Sequence, residues 1–419
     1  MPTTREYSPL DFVYGPILGE GLFGSVVYAE LINDCGGDRE SSLKDYVAVY
    51  DVDNVDTPCH DSNKAYAIKM VPKSEIIRHN QIQAVLTEKY ILTEVLSSIS
   101  EEDNPASELF MKLFLCFHDA NYLYLVLELC AGGTLLDLIQ ININNNSNTT
   151  ISYSSPVMDI SWVRYYASKI LLTVEYLHQK GIVHRDLSPQ NIGLTFPKGE
   201  IKLGDFGAAA VFVQDTSSSN DKLKRWTPKS SSTTTSPVGR EDSNDFVGTA
   251  GYVSPEMVHG YNEEEEAEDS NTTYPAMDLW SFGCLIYCML VGKSPFHILG
   301  EALPIQSMQE YANGKRQLHF PSFIDSNTKD LILSLLAVDP QQRIGAKDNV
   351  IESIFVGSEM KHYTSIRNHA FFLTAEKTSI WSLKKELDPP YKPEQPDWLA
   401  KIHRDETALK PFDSIAFDI

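Results

Sequence analysis

Apolar and polar positions fall into two regimes along the chain. Up to about residue 130, short apolar or alternating runs such as GSVVYAEL, KAYAIKMV and YLYLVLELC predict β-strands. One segment there breaks the rule: SEIIRHNQIQAVLTEKYILTEVLSS spaces its apolar residues at three and four, which predicts a helix. From Thr134 the helical spacing takes over, as in WVRYYASKILLTVEYLHQKG, where Gly181 supplies a C-terminal cap. A strand-rich part followed by a helical part predicts an α+β, two-lobed fold. Its β-rich N-lobe, with one key helix, spans about 12–129 and its helical C-lobe about 131–372.

Four stretches interrupt this patterning, near 33–63, 141–155, 215–244 and 262–273. Each is rich in Asn, Ser, Thr, Asp or Glu and short of periodic apolar residues, so each reads as a low-complexity loop insertion. Residues 1–11 form a short extension and 373–419 a tail. The Asn-x-Ser match at Asn145 carries no weight without a secretory signal, and no internal repeat is present.

The 419 residues are 42% hydrophobic and 22% charged, enough for one large or two modest cores. A net charge of −22 argues against nucleic acid or an anionic membrane as a partner, although NEEEEAEDSN carries part of it as a solvated acidic loop. Six cysteines include no CxxC pair. Cys116, Cys130, Cys284 and Cys288 lie in apolar runs and read as buried thiols of a reducing compartment. The first ten residues hold no apolar segment of the signal-peptide kind, and the longest continuous apolar run, CLIYCMLV, is too short to span a bilayer. The expectation is a soluble cytoplasmic protein.

Candidate chemistry begins with LGEGLFGSV, Leu18 to Val26. Three glycines in a hairpin allow backbone amides to approach phosphates without a side-chain clash. A dinucleotide-binding turn would need a helix next, whereas VVYAEL continues as strand. Further on come HRDLSPQN (His184 to Asn191), DFG (Asp205 to Gly207), GTAGYVSPE, DLWSFG and DPQQRIG, in that order. Together these motifs resemble eukaryotic protein kinases over Phe12 to Phe372. Within them the chain resembles the AGC group and, more narrowly, the phosphoinositide-dependent protein kinase family. That narrower likeness rests on DFVYGPILGEGLFGSVV, KSEIIRHNQIQAVLTEK, DFVGTAGYVSPE and LLAVDPQQRIGAKD, and the tail DPPYKPEQPDW is similar to the AGC C-terminal extension.

The resemblance implies a serine/threonine protein kinase using ATP and Mg²⁺. The nucleotide site would comprise Leu18, Gly19, Glu20, Gly21, Leu22, Phe23, Gly24, Ser25 and Val26, with Ala67, Lys69, Glu128 and Cys130. Lys69 would face the phosphates. Glu88 is its natural partner because it projects inward between Leu86 and Ile91; Glu94 is the alternative. Asp186 would take the proton of the substrate hydroxyl, and Asn191 and Asp205 would hold the metal. These groups are expected to converge on one metal-bound triphosphate. Thr249 is expected to contact Asp186, and Arg343 to pair with Glu256. The family's docking groove for a hydrophobic peptide maps onto Lys73, Ile76, Ile77, Ile82, Val85 and Lys89, with a core stripe as the competing reading of those apolar residues. Substrates implied are other AGC kinases that dock such a motif.

Departures from the family pattern are as informative. Ser188 stands where a serine/threonine kinase has lysine, and Gln190 supplies no replacement cation, which lowers the expected rate without abolishing it. Asp245 occupies the place of an autophosphorylated serine. Thr87 and Ala210 replace cations that face the phosphate, leaving Arg185 to meet Asp245, with Ser243 as a rival phosphosite. Gly193 stands where an apolar side chain floors the adenine pocket, and Thr134 where an acidic residue follows the hinge. After Phe372 the 47 residues to Ile419 are too few for the family's pleckstrin-homology domain, so no membrane anchor is expected. Two other readings stand beside the kinase: a nucleotide-binding pseudokinase scaffold, and a downstream AGC kinase whose C-terminal AFDI fills its own groove.

Overall fold

The computed structural model describes residues 7–21, 24–32, 47–51, 65–96, 106–146, 155–214, 223–226, 248–258, 270–297, 303–355, 358–373, 379–382, 388–404 and 409–412. The chain divides into two compact units. The first gathers Met1–Gly133, Leu194–Lys202 and Lys392–Ile419, and the second Thr134–Gly193 and Leu203–Tyr391.

In the first unit, strands β1 (Phe12–Gly21), β2 (Gly24–Leu31), β3 (Val47–Asp51), β4 (Ala65–Pro72), β5 (Leu113–His118) and β6 (Tyr122–Glu128) form an antiparallel sheet. Alternation along the strands places Phe12, Tyr14, Tyr66, Phe117 and Tyr124 in one buried cluster, with Phe117 stacked on Tyr124 at 4.8 Å. The predicted helix after β4 is three pieces: α1 (Lys73–Arg78), α2 (Ile82–Tyr90) and a π-helical turn, Ile91–Leu96. The break falls at Asn80, whose φ of +52° is a left-handed conformation that Asn tolerates better than most residues.

Apart from β8 (Ile192–Leu194) and β9 (Ile201–Leu203), which bound the Leu194–Lys202 stretch of the first unit, the second unit opens with α3 (Leu135–Asn146) and α4 (Ile160–Gln179) and then the short strands β7 (Ile182–Val183), β10 (Ala210–Gln214) and β11 (Leu223–Arg225). Helices α5 (Pro255–Val258), α6 (Ser270–Val291), α7 (Pro304–Ala312), α8 (Ser326–Leu335) and α9 (Thr364–Arg367) complete it. Gly181 ends α4 as expected, at φ +72° with its N–H bonded to His178 O. The long α6 is apolar on all sides. Its segment Thr273–Val291 has the length and composition to cross a membrane, yet 89% of it is buried, so here it serves as a central core helix. Gly283 lets α8 approach, since a Cβ there would lie 2.9 Å from Leu335 Cβ.

The chain then returns to the first unit through α10 (Asp397–Arg404) and β12 (Lys410–Pro411), which pairs with β1 and completes the sheet order β12-β1-β2-β4-β6-β5-β3. Trp398 packs edge-on against Tyr28 at 5.3 Å, and Phe412 lies 5.7 Å from the Tyr14 ring. Gly15 makes room: a Cβ there would meet Tyr28 at 2.8 Å and Ile402 at 3.2 Å.

Each of the four predicted loop insertions contains part of a regular element. Residues 33–63 include β3, 141–155 include the last turns of α3, 215–244 include β11, and 262–273 include the start of α6. In α3 the Asn-rich composition hid Ile143, which packs against Gly292; tertiary contact overrides the weak helix propensity of Asn.

Candidate active site

The first unit carries the residues expected to face phosphates. In the hairpin between β1 and β2, Gly24 has a φ of +150°, and a Cβ there would sit 2.0 Å from Met70 O, so the fold itself demands that glycine. Gly19 and Gly21 have no such reason: a Cβ on Gly19 would meet nothing within 4 Å, and on Gly21 only Gly24 O at 3.7 Å. Glycines without a packing role leave backbone amides open to a ligand. Leu22 and Phe23 lie outside the described residues.

Lys69, on β4, extends its Nζ to within 2.8 Å of Glu88 Oε1 on α2, and the Glu88 side chain is almost wholly buried. Glu94 is exposed, which removes it as the alternative partner. A buried carboxylate needs such a cation, and the cation is thereby held on the strand face. Ala67 is buried on the same strand, next to Leu127 in register, while Leu18 packs against the cluster that holds Tyr28 and Ala131. Glu128 ends β6 and is gripped by Lys202, a buried lysine whose Nζ lies 3.1 Å from Glu128 Oε1 and 3.5 Å from Glu108 Oε2. No motif marks this lysine, whose partners lie far away along the chain. Burial, then the charge of Glu128, pushes the thiol of Cys130 up to about 12, so it stays protonated.

The second unit carries the catalytic loop. Asp186 Oδ1 accepts from Thr249 N and Thr249 Oγ1, both at 2.7 Å, and Asp186 Oδ2 accepts from Asn191 Nδ2 at 2.9 Å. Asn191 Nδ2 also donates to Asp186 O at 2.8 Å. With its amide nitrogen turned inward, Asn191 presents its carbonyl oxygen outward, the end a hard cation prefers. Arg185 and Asp205 both have left-handed backbone, φ +64° and +56°, uncommon outside glycine and often found where function holds a residue in place. Among the described residues no three His, Cys, Asp or Glu cluster as a metal cage. A two-oxygen set from Asn191 and Asp205 suits Mg²⁺, which keeps water and phosphate ligands of its own.

Around this loop three expected features take a definite form. Thr249 Oγ1 also accepts from Gln190 Nε2 at 3.0 Å, so Gln190 braces the Asp186 partner. Ser188 is wholly buried and its Oγ has no hydrogen-bond partner among the described residues. Arg343 pairs with Glu256 through Nη2 and Oε2 at 2.7 Å and lies over the Trp280 ring.

Arg185 does not stand alone. Its Nε donates to Ala208 O at 2.7 Å, and burial and then the Arg225 guanidinium pull it down to about 10 against the opposing pull of Asp278. Arg225 comes from β11, inside a segment that the sequence presents as a loop. Asp245 and Ser243 lie outside the described residues. At Gly193 the backbone bridges Thr134, and Leu194 is buried, bonded through its backbone to Gly132 and Gly133. Thr134 itself caps α3 by exchanging hydrogen bonds with Asp137.

The groove residues separate. Ile76 is buried in the first unit's core, Val85 and Lys89 are half-buried, and Ile77 and Ile82 are 69% and 46% exposed. A core stripe therefore accounts for Ile76 and leaves Ile77 and Ile82 as an open apolar face. Lys73 is tied down, its Nζ donating to Asp119 O at 2.5 Å.

Comparison with known proteins adds an independent line. A family model described as protein kinase domain matches residues 55–355. Among curated proteins the chain is 30% identical to mouse 3-phosphoinositide-dependent protein kinase 1, over 93% of this chain and 51% of that protein. It is likewise 30% identical to the serine/threonine-protein kinase PKH1 of Saccharomyces cerevisiae, over 96% of this chain and 40% of that protein. For the 3-phosphoinositide-dependent protein kinase 1 of Arabidopsis thaliana the figures are 28%, 97% and 64%. The chain thus spans about half the length of the mouse relative and less of the yeast one.

Proposed function

Because the chain belongs to the protein kinase family, with the serine/threonine-type motifs set out above, we propose that it transfers the ATP γ-phosphoryl group to serine or threonine hydroxyls of other proteins. The observation that carries this reading is the state of Asp186. Both lone pairs of its Oδ1 are taken by Thr249, and one of Oδ2 by Asn191, which leaves a single acceptor position for a substrate hydroxyl. Metal-bound ATP supplies the phosphoryl group when present. In the first unit Lys69, held by Glu88, would face phosphates; in the second, Asn191 and Asp205 would hold the metal and Asp186 would orient the hydroxyl and take its proton.

The finer reading is that its substrates are activation loops of other AGC kinases, recruited by a hydrophobic peptide at Ile77, Ile82 and Val85 with Lys89 at the rim. The open apolar face and the likeness to 3-phosphoinositide-dependent protein kinase 1 support it. Asp245 would serve as a built-in anion for Arg185 and Arg225. One assay tests these points together: the purified protein with Mg-ATP and an activation-loop peptide, with and without a linked hydrophobic motif. Turnover is expected, lost in Asp186→Ala, lowered about tenfold or more in Asp245→Ala, and enhanced by the motif unless Ile82 is changed to Glu. ATP binding without turnover would favour the scaffold reading.

A further inference from the structure

In the second unit a buried polar chain ends on the catalytic loop. Asp278, on α6, accepts the backbone N–H groups of His184 and Arg185, each at 2.8 Å, and so holds the residues that lead into Asp186. Its Oδ2 also meets His178 Nε2 at 2.8 Å, and the other nitrogen of that ring, Nδ1, meets the Tyr363 hydroxyl. All three side chains are buried. A carboxylate only accepts, so the proton between His178 and Asp278 belongs to Nε2. In a neutral ring Nδ1 is then a bare lone pair, and the Tyr363 hydroxyl donates to it. A charged ring would instead aim Nδ1–H at the phenol oxygen and leave the phenol proton without an acceptor among the described residues. Burial, then the charges of Asp278, Glu175 and Asp348, pushes the Tyr363 hydroxyl well above its ordinary value, so it remains a donor.

Tyr363 is itself fixed from α4. Glu175 accepts its backbone N–H at 2.8 Å and also binds His362 Nδ1 at 2.7 Å and Arg367 Nη2, while Gln179 donates to Lys361 O at 2.7 Å. The phenol is therefore a rigid end point rather than a side chain that happens to reach the ring.

We propose that Tyr363 is a positioning residue for phosphoryl transfer: its hydroxyl fixes His178 as the neutral Nε2–H tautomer, and His178 so fixed aims Asp278 at the two N–H groups that precede Asp186. The link to turnover rests on the kinase reading; the hydrogen bonds do not. Tyr363→Phe removes one donor at constant shape, so kcat should fall about five- to tenfold while KM for ATP and peptide stays within about twofold. His178→Gln keeps a donor and an acceptor on one planar group and cannot be charged, so it should stay within about threefold of wild type, whereas His178→Leu should fall below Tyr363→Phe. In the wild type at neutral pH, ¹⁵N spectra should show His178 with one protonated nitrogen, Nε2, and one bare, hydrogen-bonded nitrogen, Nδ1.

Unchanged kcat in folded Tyr363→Phe overturns the proposal, as does a wild-type ring protonated on both nitrogens. If Tyr363→Phe does not fold, the spectrum and the Gln–Leu comparison decide. A wild type without turnover removes the kinase reading and this role with it, while a charged ring in an active wild type removes the role alone.

Discussion

Ser188 puts the altered catalytic loop to a direct test. Its hydroxyl is buried and unpaired among the described residues, the costly state for a polar group in a packed interior. If the hydroxyl turned toward a phosphate in the working enzyme, Ser188→Ala would lose a donor and about tenfold or more in kcat. The buried position argues the other way. Ser188→Ala should leave kcat within about threefold and raise stability by about 1 kcal/mol, read as a shift in urea midpoint at constant slope. At this scale the sequence was legible wherever chemistry is carried by a motif. The Lys69–Glu88, Thr249–Asp186 and Arg343–Glu256 contacts all follow from the spacing of those motifs. Lys202, Arg225 and Tyr363 were not legible. Each acts through a partner distant in sequence, and a lone lysine, arginine or tyrosine carries no spacing signal.

Elements were legible by periodicity and failed where composition was allowed to outvote it. The strand VAVYD inside the first insertion is β-branched and alternating, but polar flanks on both sides disguised it. The helix after β4 reads as continuous because its three-and-four spacing survives the left-handed break at Asn80. The glycine hairpin separates packing from function within a single element. Gly24→Ala would press a methyl into Met70 O at a backbone angle that side chains avoid, so it should cost the first unit about 3 kcal/mol. Gly21→Ala has room for its methyl and should cost no more than about 0.5 kcal/mol. The nucleotide reads the opposite order. Folded Gly21→Ala should raise KM for ATP several-fold by placing a side chain where phosphates meet backbone amides. Thermal melting with ATP kinetics on both variants checks the pair, and an unaltered KM in Gly21→Ala would assign that glycine to the hairpin alone.

For the whole molecule, the C-terminal segment is a structural part of the first unit. Phe417 and the rest of AFDI, on which the cis-docking reading depends, lie outside the described residues. The tail's contribution is stability: Trp398 on Tyr28 and Phe412 on Tyr14 add aromatic contacts to a sheet whose strands come from two separate stretches of chain. Trp398 is also the sole tryptophan of that unit, the other four, at 162, 226, 280 and 381, belonging to the second. The fluorescence difference between wild type and Trp398→Phe thus isolates melting of the first unit. Phe412→Ala, a half-buried aromatic truncation, should cost about 1–2 kcal/mol and lower that transition by about 5 °C. The transition followed by the remaining tryptophans should hardly move, because the lost contacts lie wholly in the first unit. Equal shifts in both signals would mean that the two units melt as one, and no shift in either would mean that the tail rides on the sheet without supporting it.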